Sequence, residues 1–119
     1  MDLMIVDDSM IIRNKIVRAM QEFDLNIAGI ARNGIEAVEL MNKEQPQIAT
    51  MDLTMPEMDG IECIDELMKI NPNMIILVVS ALSDKGTAIQ ALQKGAQGFL
   101  CKPFTESELT VALSKLINR

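Results

Sequence analysis

Four apolar runs of the sequence each end in a polar residue that could act on a phosphate or a metal ion. The pairs are LMIV before Asp7 and Asp8, IATM before Asp52, MIILVV before Ser80, and GFLC before Lys102. Open α/β sheets bind their ligands at the carboxyl ends of the strands. If these runs are parallel strands, three carboxylates, one hydroxyl and one ammonium group meet at one edge of the sheet.

Three carboxylates at one edge repel one another unless a cation neutralises them. Oxygen ligands that leave coordination positions open suit Mg²⁺ better than Ca²⁺, which prefers a larger protein cage. Mg²⁺ and a lysine together could hold the oxygens of a phosphoryl group, whose transfer depends on positioning and charge neutralisation. One carboxylate could then act as the nucleophile and form an aspartyl phosphate.

The composition excludes several other classes of function. The chain of 119 residues contains no histidine, which excludes Ser-His-Asp and Cys-His catalysis and any His-ligated transition metal. Seventeen acidic and eleven basic residues give a net charge of −6, so we expect no direct binding to nucleic acid.

The cellular compartment is also predicted from the sequence. Cys63 and Cys101 are the two cysteines, and we interpret them as ordinary buried thiols in a reducing cytoplasm. No apolar run approaches the roughly 20 residues of a membrane span, and the acidic start does not resemble a signal peptide. We therefore expect a cytoplasmic protein without membrane contact.

Apolar runs and helix-period segments alternate five times, which predicts a single domain over residues 1–119. The predicted strands are Leu3–Val6, Asn26–Ala31, Ile48–Met51, Met74–Val79 and Gly98–Cys101. The predicted helices are Met10–Phe23, Gly34–Lys43, Ile61–Ile70, Asp84–Lys94 and Glu106–Ile117. Capping sequences begin at Asn33, Asp59 and Thr105, and Ser83 is a further candidate cap.

The predicted strands are apolar throughout rather than alternating, as in MIILVV, so both faces of the sheet must be covered. This pattern is typical of an α/β fold, a doubly wound parallel sheet of five strands with five helices on its two faces.

The motifs resemble those of the receiver domains of response regulators in two-component systems. VDDS at 6–9 resembles the family's acidic pair, and MDLTMPEMDG at 51–60 resembles its phosphoacceptor strand and loop. Ser80-Ala81 and Lys102-Pro103-Phe104 resemble its switch hydroxyl and its lysine turn. The match runs from Leu3 to about Leu116 and implies the flavodoxin-like strand order 2-1-3-4-5.

The resemblance implies a phosphorylation site and a metal site. Asp52 would accept a phosphoryl group from the histidine of a partner kinase or phosphotransfer protein. Asp8, Asp52 and the backbone carbonyl of Thr54 would ligate Mg²⁺ directly, and Asp7 would act through water.

The resemblance also implies how the phosphoryl group is held and sensed. Lys102, Ser80 and the backbone N–H of Ala81 would bind its oxygens, and the proline after Lys102 leaves room for a cis peptide bond. Ser80 and Phe99 would form a switch, although Phe99 stands where many chemotaxis receivers have tyrosine. The face of helix 4, strand 5 and helix 5 would then select a downstream target, an effector domain or a second copy of the chain.

Two other interpretations use the same residues. Haloacid-dehalogenase-type phosphatases also have an aspartate nucleophile and Mg²⁺, but they need a second acid two residues later, where this chain has Thr54. A degenerate receiver would only dock partners. Asp7 and Asp8 could also be a helix cap, and Lys102 a surface lysine. We expect no dedicated enzyme; the sequence names neither kinase nor output, nor whether the native chain continues past Arg119.

Overall fold

The computed structural model describes residues 1–23, 25–53, 60–81 and 85–117 of the chain. Strands and helices alternate through these ranges. The strands are β1 (Asp2–Val6), β2 (Asn26–Ala31), β3 (Ile48–Asp52), β4 (Ile75–Ala81) and β5 (Gly98–Lys102). The helices are α1 (Met10–Met20), α2 (Gly34–Glu44), α3 (Gly60–Ile70), α4 (Lys85–Gln93) and α5 (Glu106–Ile117).

The strands form one parallel sheet in the order β2-β1-β3-β4-β5, which confirms the predicted fold class and strand order. β1 and β3 lie next to each other in the centre, so the chain segments that follow them leave the sheet side by side. β5 forms one edge, next to β4. All carboxyl ends point the same way, which is the arrangement that brings the polar strand ends together.

Two apolar layers hold the helices against the sheet. One layer joins alternate strand residues such as Met4 and Met51 to α2, α3 and α4. The other joins their neighbours Leu3 and Ile5 to α1 and α5. Successive residues of β1 and β3 are therefore buried on opposite faces, as their continuous apolar sequence predicts. No helix in the described ranges is long and apolar enough to cross a membrane.

Side-chain caps begin the helices where the sequence predicts them. The Asn33 side chain accepts the Glu36 N–H at 2.8 Å, and Thr105 and Glu108 exchange two such hydrogen bonds in a capping box. The predicted caps Asp59 and Ser83 lie outside the described residues.

Several elements begin or end one to three residues from their predicted bounds. α1 ends at Met20 rather than Phe23, because residues 21–23 turn through hydrogen bonds to the third preceding residue. β4 continues beyond Val79, because Ser80 and Ala81 still pair with β5. Asp52 and Lys102 likewise close their strands from within. These side chains therefore project from paired backbone rather than from loops.

Candidate functional site

Three carboxylates meet at the carboxyl edge of the sheet. Asp7 and Asp8 follow the central strand β1, and Asp52 ends its neighbour β3. One oxygen of each carboxylate lies within 4.8 Å of those of the other two. Asp7 and Asp52 are buried, whereas Asp8 is exposed. The structure therefore assembles the predicted acidic cluster with one side open to solvent.

Local hydrogen bonds fix Asp7. Its backbone N–H donates to the Ala31 carbonyl of β2, and its own carbonyl accepts from the Arg13 guanidinium at 3.1 Å. Its Oδ1 accepts the N–H of Ser9 at 2.8 Å. Ser9, not the acidic pair, is the N-cap of α1, so the interpretation of Asp7 and Asp8 as that cap was wrong.

Lys102 brings a positive charge to the cluster from β5. Its Nζ lies 3.2 Å from Asp7 Oδ2 and 3.4 Å from Asp52 Oδ1, and its side chain is 23% exposed. An ammonium group between two nearly buried carboxylates offsets part of their repulsion. Lys102 is therefore part of the site and not a surface lysine. The Lys102–Pro103 peptide bond is cis, as the sequence allowed.

The donor set fits a hard divalent cation. Asp7 Oδ2 is buried and accepts no hydrogen bond in the described part of the chain, because its contact with Lys102 is an ion pair without hydrogen-bond geometry. A buried carboxylate oxygen without a hydrogen bond is costly unless a charge neutralises it. The carboxylates supply oxygen ligands only, and the exposed side leaves room for water or a substrate oxygen, as Mg²⁺ requires.

The predicted switch residues lie on the two neighbouring strands β4 and β5. Ser80 is buried at the end of β4 and pairs with Cys101, while Ala81 pairs with Lys102. Phe99 is two residues before Cys101 on β5 and is half-buried. Its ring lines an open apolar groove of about 300 Å³ beside α4, together with Ala88 and the exposed residues Ile89 and Leu92. Phe99 therefore has an apolar space beside it in which its ring could repack.

Three further residues bear on the site: Thr54, which was predicted as a metal ligand, and Arg13 and Lys15, which were not predicted. Thr54, whose carbonyl the resemblance assigns to the metal, lies outside the described residues. The sequence analysis missed Arg13, which holds the Asp7 carbonyl, and Lys15, which binds the Phe104 carbonyl at 2.7 Å. Both are ordinary polar positions of an amphipathic helix, and their spacing gives no sign of a partner distant in sequence.

Comparisons with known proteins agree with this geometry. The family model of the response regulator receiver domain matches residues 3–114. The chemotaxis protein CheY of Thermotoga maritima is 43% identical over 114 residues, which cover 96% of this chain and 95% of that protein. The CheY of Bacillus subtilis is 35% identical over 116 residues, which cover 98% of this chain and 97% of that protein.

A solved structure shows the same fold with ligands. In the CheX–CheY–BeF3–Mg²⁺ complex from Borrelia burgdorferi, a chain with 30% sequence identity superposes with a TM-score of 0.91. The match covers 98% of this chain and 88% of that chain. That complex contains a magnesium ion and a beryllofluoride group.

Proposed function

Because this chain belongs to the response regulator receiver family of two-component systems, we propose that Asp52 accepts a phosphoryl group from a phosphohistidine. The donor is a histidine kinase or a phosphotransfer protein. The observation that carries this proposal is the position of Lys102 Nζ, within 3.4 Å of both Asp7 and Asp52 at the open acidic edge.

Asp52 is the carboxylate best placed to be the nucleophile. It ends β3, the strand next to β1, and its Oδ1 lies 3.4 Å from Lys102 Nζ, whereas Asp8 lies on the exposed side. An oxygen of Asp52 attacks phosphorus, the bond from phosphorus to the donor nitrogen breaks, and that nitrogen keeps the electron pair. The product is an acyl phosphate on Asp52.

Lys102 and the end of β4 supply the positive and polar groups that the added phosphoryl oxygens need. Lys102 exchanges a carboxylate contact for a phosphoryl oxygen, which the ammonium stabilises electrostatically. The Ser80 hydroxyl and the Ala81 N–H offer two further donors at the neighbouring strand end.

Asp7, Asp8 and Asp52 would hold Mg²⁺, with Asp7 acting through water. The bound ion would neutralise charge on the carboxylates and on the transferred group. The protein is then a phosphorylated switch that promotes its own phosphorylation and dephosphorylation, and not a dedicated enzyme.

The signal to the partner follows from a rearrangement of side chains on the neighbouring strands β4 and β5. A phosphoryl group that draws Ser80 inward leaves space beside β5, into which the Phe99 ring moves. Phe99 has no hydroxyl, so packing against α4 alone holds the new position. A groove of about 550 Å³ lies between β5 and α5. The face of α4, β5 and α5, which includes this groove, would bind a downstream target or a second copy of the chain.

The chain is proposed to be a chemotaxis-type regulator. The relatives named chemotaxis protein CheY match it over nearly their whole lengths, 95% and 97% for the two described above. A receiver of this kind signals by docking its switched face on a separate partner protein.

The experiment is phosphorylation by acetyl phosphate, followed by intact mass and by hydrogen exchange with beryllofluoride. Wild type should gain one phosphate only with Mg²⁺, and Asp52→Asn should gain none. Phe99→Ala should be phosphorylated normally but lose most of the exchange response over residues 85–116. Ser80→Ala should lose that response as well.

Three results would contradict parts of this proposal. A phosphate gain that survives Asp52→Asn or EDTA would exclude Asp52 as the acceptor or Mg²⁺ as the cofactor. Rapid release of phosphate with continuous turnover of the donor would indicate a phosphatase, and no labelling would indicate a docking domain. Wild-type exchange in both switch variants would exclude signalling through Ser80 and Phe99.

A further inference from the structure

We propose that Lys15 of α1 is a positioning residue for the phosphoryl transfer, because it anchors the turn that directly follows Lys102. This inference rests on the proposed function but concerns a residue outside the acidic site. Lys15 is 87 residues from Lys102 in the sequence and touches neither Asp52 nor the acidic pair in the contacts described above.

The turn after β5 is short. β5 ends at Lys102 and α5 begins at Glu106, so residues 103–105 alone connect them. Lys102 is the last paired residue of β5, so the position of its side chain is set by the strand on one side and by this connection on the other. Pro103 has no N–H group and cannot anchor the turn by donating a hydrogen bond.

Lys15 holds the middle of this turn by two contacts. Its Nζ donates to the Phe104 carbonyl at 2.7 Å, and it lies 5.1 Å from the centroid of the Phe104 ring. A hydrogen bond from an ammonium group is shorter and stronger than one between neutral groups, and an ammonium group is also attracted to an aromatic face. The Phe104 ring is itself buried in the layer beneath α1 and α5.

Lys15 thereby connects the two charged halves of the site. Ser9, whose N–H binds Asp7, is the N-cap of α1, and Lys15 lies six residues further along, in the middle of the same helix. One helix thus contacts Asp7 through its N-cap and the turn after Lys102 through its middle. Without the Lys15 ammonium, the distance between Lys102 and Asp52 would be held less tightly.

The effect should appear in the rate of transfer and not in metal binding. Lys15→Met keeps the aliphatic stem but removes the charge and the donors. We expect phosphorylation by acetyl phosphate at saturating donor and Mg²⁺ to slow about tenfold, since small displacements of a catalytic group have effects of this order or larger. Beryllofluoride should bind several-fold more weakly. The concentration of donor at half-maximal rate and the Mg²⁺ affinity should change less than twofold.

Two further variants separate positioning from general stability. Lys15→Arg retains a cationic donor and should restore the rate to within about threefold of wild type. Arg18→Met is the matched control: Arg18 lies on the same helix and forms an exposed ion pair with Glu106 at 3.0 Å, beyond the turn. It should phosphorylate at the wild-type rate. All rates are measured below the melting transitions; if Lys15→Met does not fold, Lys15→Gln replaces it.

The outcomes distinguish this inference from the proposed function. Failure of wild type to label would reject the proposed function itself. Normal labelling of wild type with unchanged rates in Lys15→Met would reject the positioning role alone. An equal loss in Arg18→Met, or a loss in Lys15→Arg as large as in Lys15→Met, would mean that loosening of α1 against α5 is responsible and would overturn the proposal.

Discussion

The two ends of the sheet use polar side chains in opposite ways. At the amino end, Gln97 donates to the Met74 carbonyl and accepts the Ile76 N–H, at 2.8 and 2.7 Å. Gln47 there accepts the Asp2 N–H at 2.7 Å. These neutral amides form hydrogen bonds with backbone groups that have no partner within the sheet. The carboxyl end instead gathers charges.

The carboxyl end contains a buried carboxylate oxygen that accepts no hydrogen bond from the described residues. Asp7 Oδ2 is buried without a hydrogen bond in the described part of the chain, and three carboxylates approach within 4.8 Å. Such an arrangement destabilises the metal-free protein but leaves oxygen ligands ready for a cation. The comparison teaches that polar side chains at one end of the sheet satisfy backbone groups, whereas those at the other end gather the charges on which the proposed metal site depends.

The largest expected effect on folding is at the amino end. Gln97→Leu removes both amide contacts and leaves the Met74 carbonyl and the Ile76 N–H unpaired in buried surroundings. We expect the free energy of unfolding in urea to fall by about 2–4 kcal/mol, while the rate of phosphorylation stays that of wild type. Circular dichroism is the suitable probe, because the chain has no Trp or Tyr.

The matched control for this variant is Gln93→Leu, the same chemical change at an exposed position of α4. It should alter the free energy of unfolding by less than about 0.5 kcal/mol. If Gln97→Leu is equally mild, the amino end does not depend on its amide contacts and the contrast between the two ends fails.

An effect of opposite sign is expected at the carboxyl end. Asp8→Asn removes one of three crowded charges, so the protein in EDTA should be more stable than wild type by about 1 kcal/mol. Mg²⁺ affinity in titration calorimetry should fall by about tenfold or more. Glu39→Gln, which removes the same charge from an exposed site on α2, should change neither quantity.

Equal stabilities of metal-free wild type and Asp8→Asn would show that the carboxylates do not repel one another enough to form a single site. A gain as large in Glu39→Gln would assign the stabilisation to the net charge of −6 rather than to the acidic cluster.

The smallest expected effect concerns a partly exposed carboxylate in the first turn of α2, outside the acidic cluster. Glu36 accepts the Arg32 N–H at 3.0 Å and pairs with its guanidinium at 3.1 Å, and these contacts lower the pKa of Glu36 below its ordinary 4.5. A carboxyl whose pKa is lower in the folded than in the unfolded state stabilises the fold above its unfolded pKa. This contribution is lost as the pH falls through the folded pKa.

Glu36→Gln should therefore be slightly less stable than wild type at neutral pH, and the difference should vanish in acid, once the pH has fallen through the lowered pKa of Glu36. Urea unfolding at both pH values measures it, with Glu39→Gln on the same helix as control. A difference that persists in acid would show that hydrogen bonding by the neutral side chain, and not its charge, stabilises this helix start.

Much of the site was predictable because strand ends are visible in the sequence. Asp7, Asp8, Asp52, Ser80 and Lys102 each follow an apolar run, and parallel strands bring their carboxyl ends to one edge. The caps at Asn33 and Thr105 were visible for a similar reason, since a cap and its partner are separated by three residues. The strand order came from the family resemblance and not from these patterns.

The tertiary structure alone determined the contacts between residues distant in sequence. The approach of Lys102 to both Asp7 and Asp52, the anchor from Lys15 to Phe104, and the amide bridge of Gln97 depend on the packing of β5 and α1. The period of apolar residues reports which face of an element is buried, but a polar side chain on a helix or before a strand has the same pattern with or without a partner. Only the placement of one element against another decides which of these polar side chains finds one.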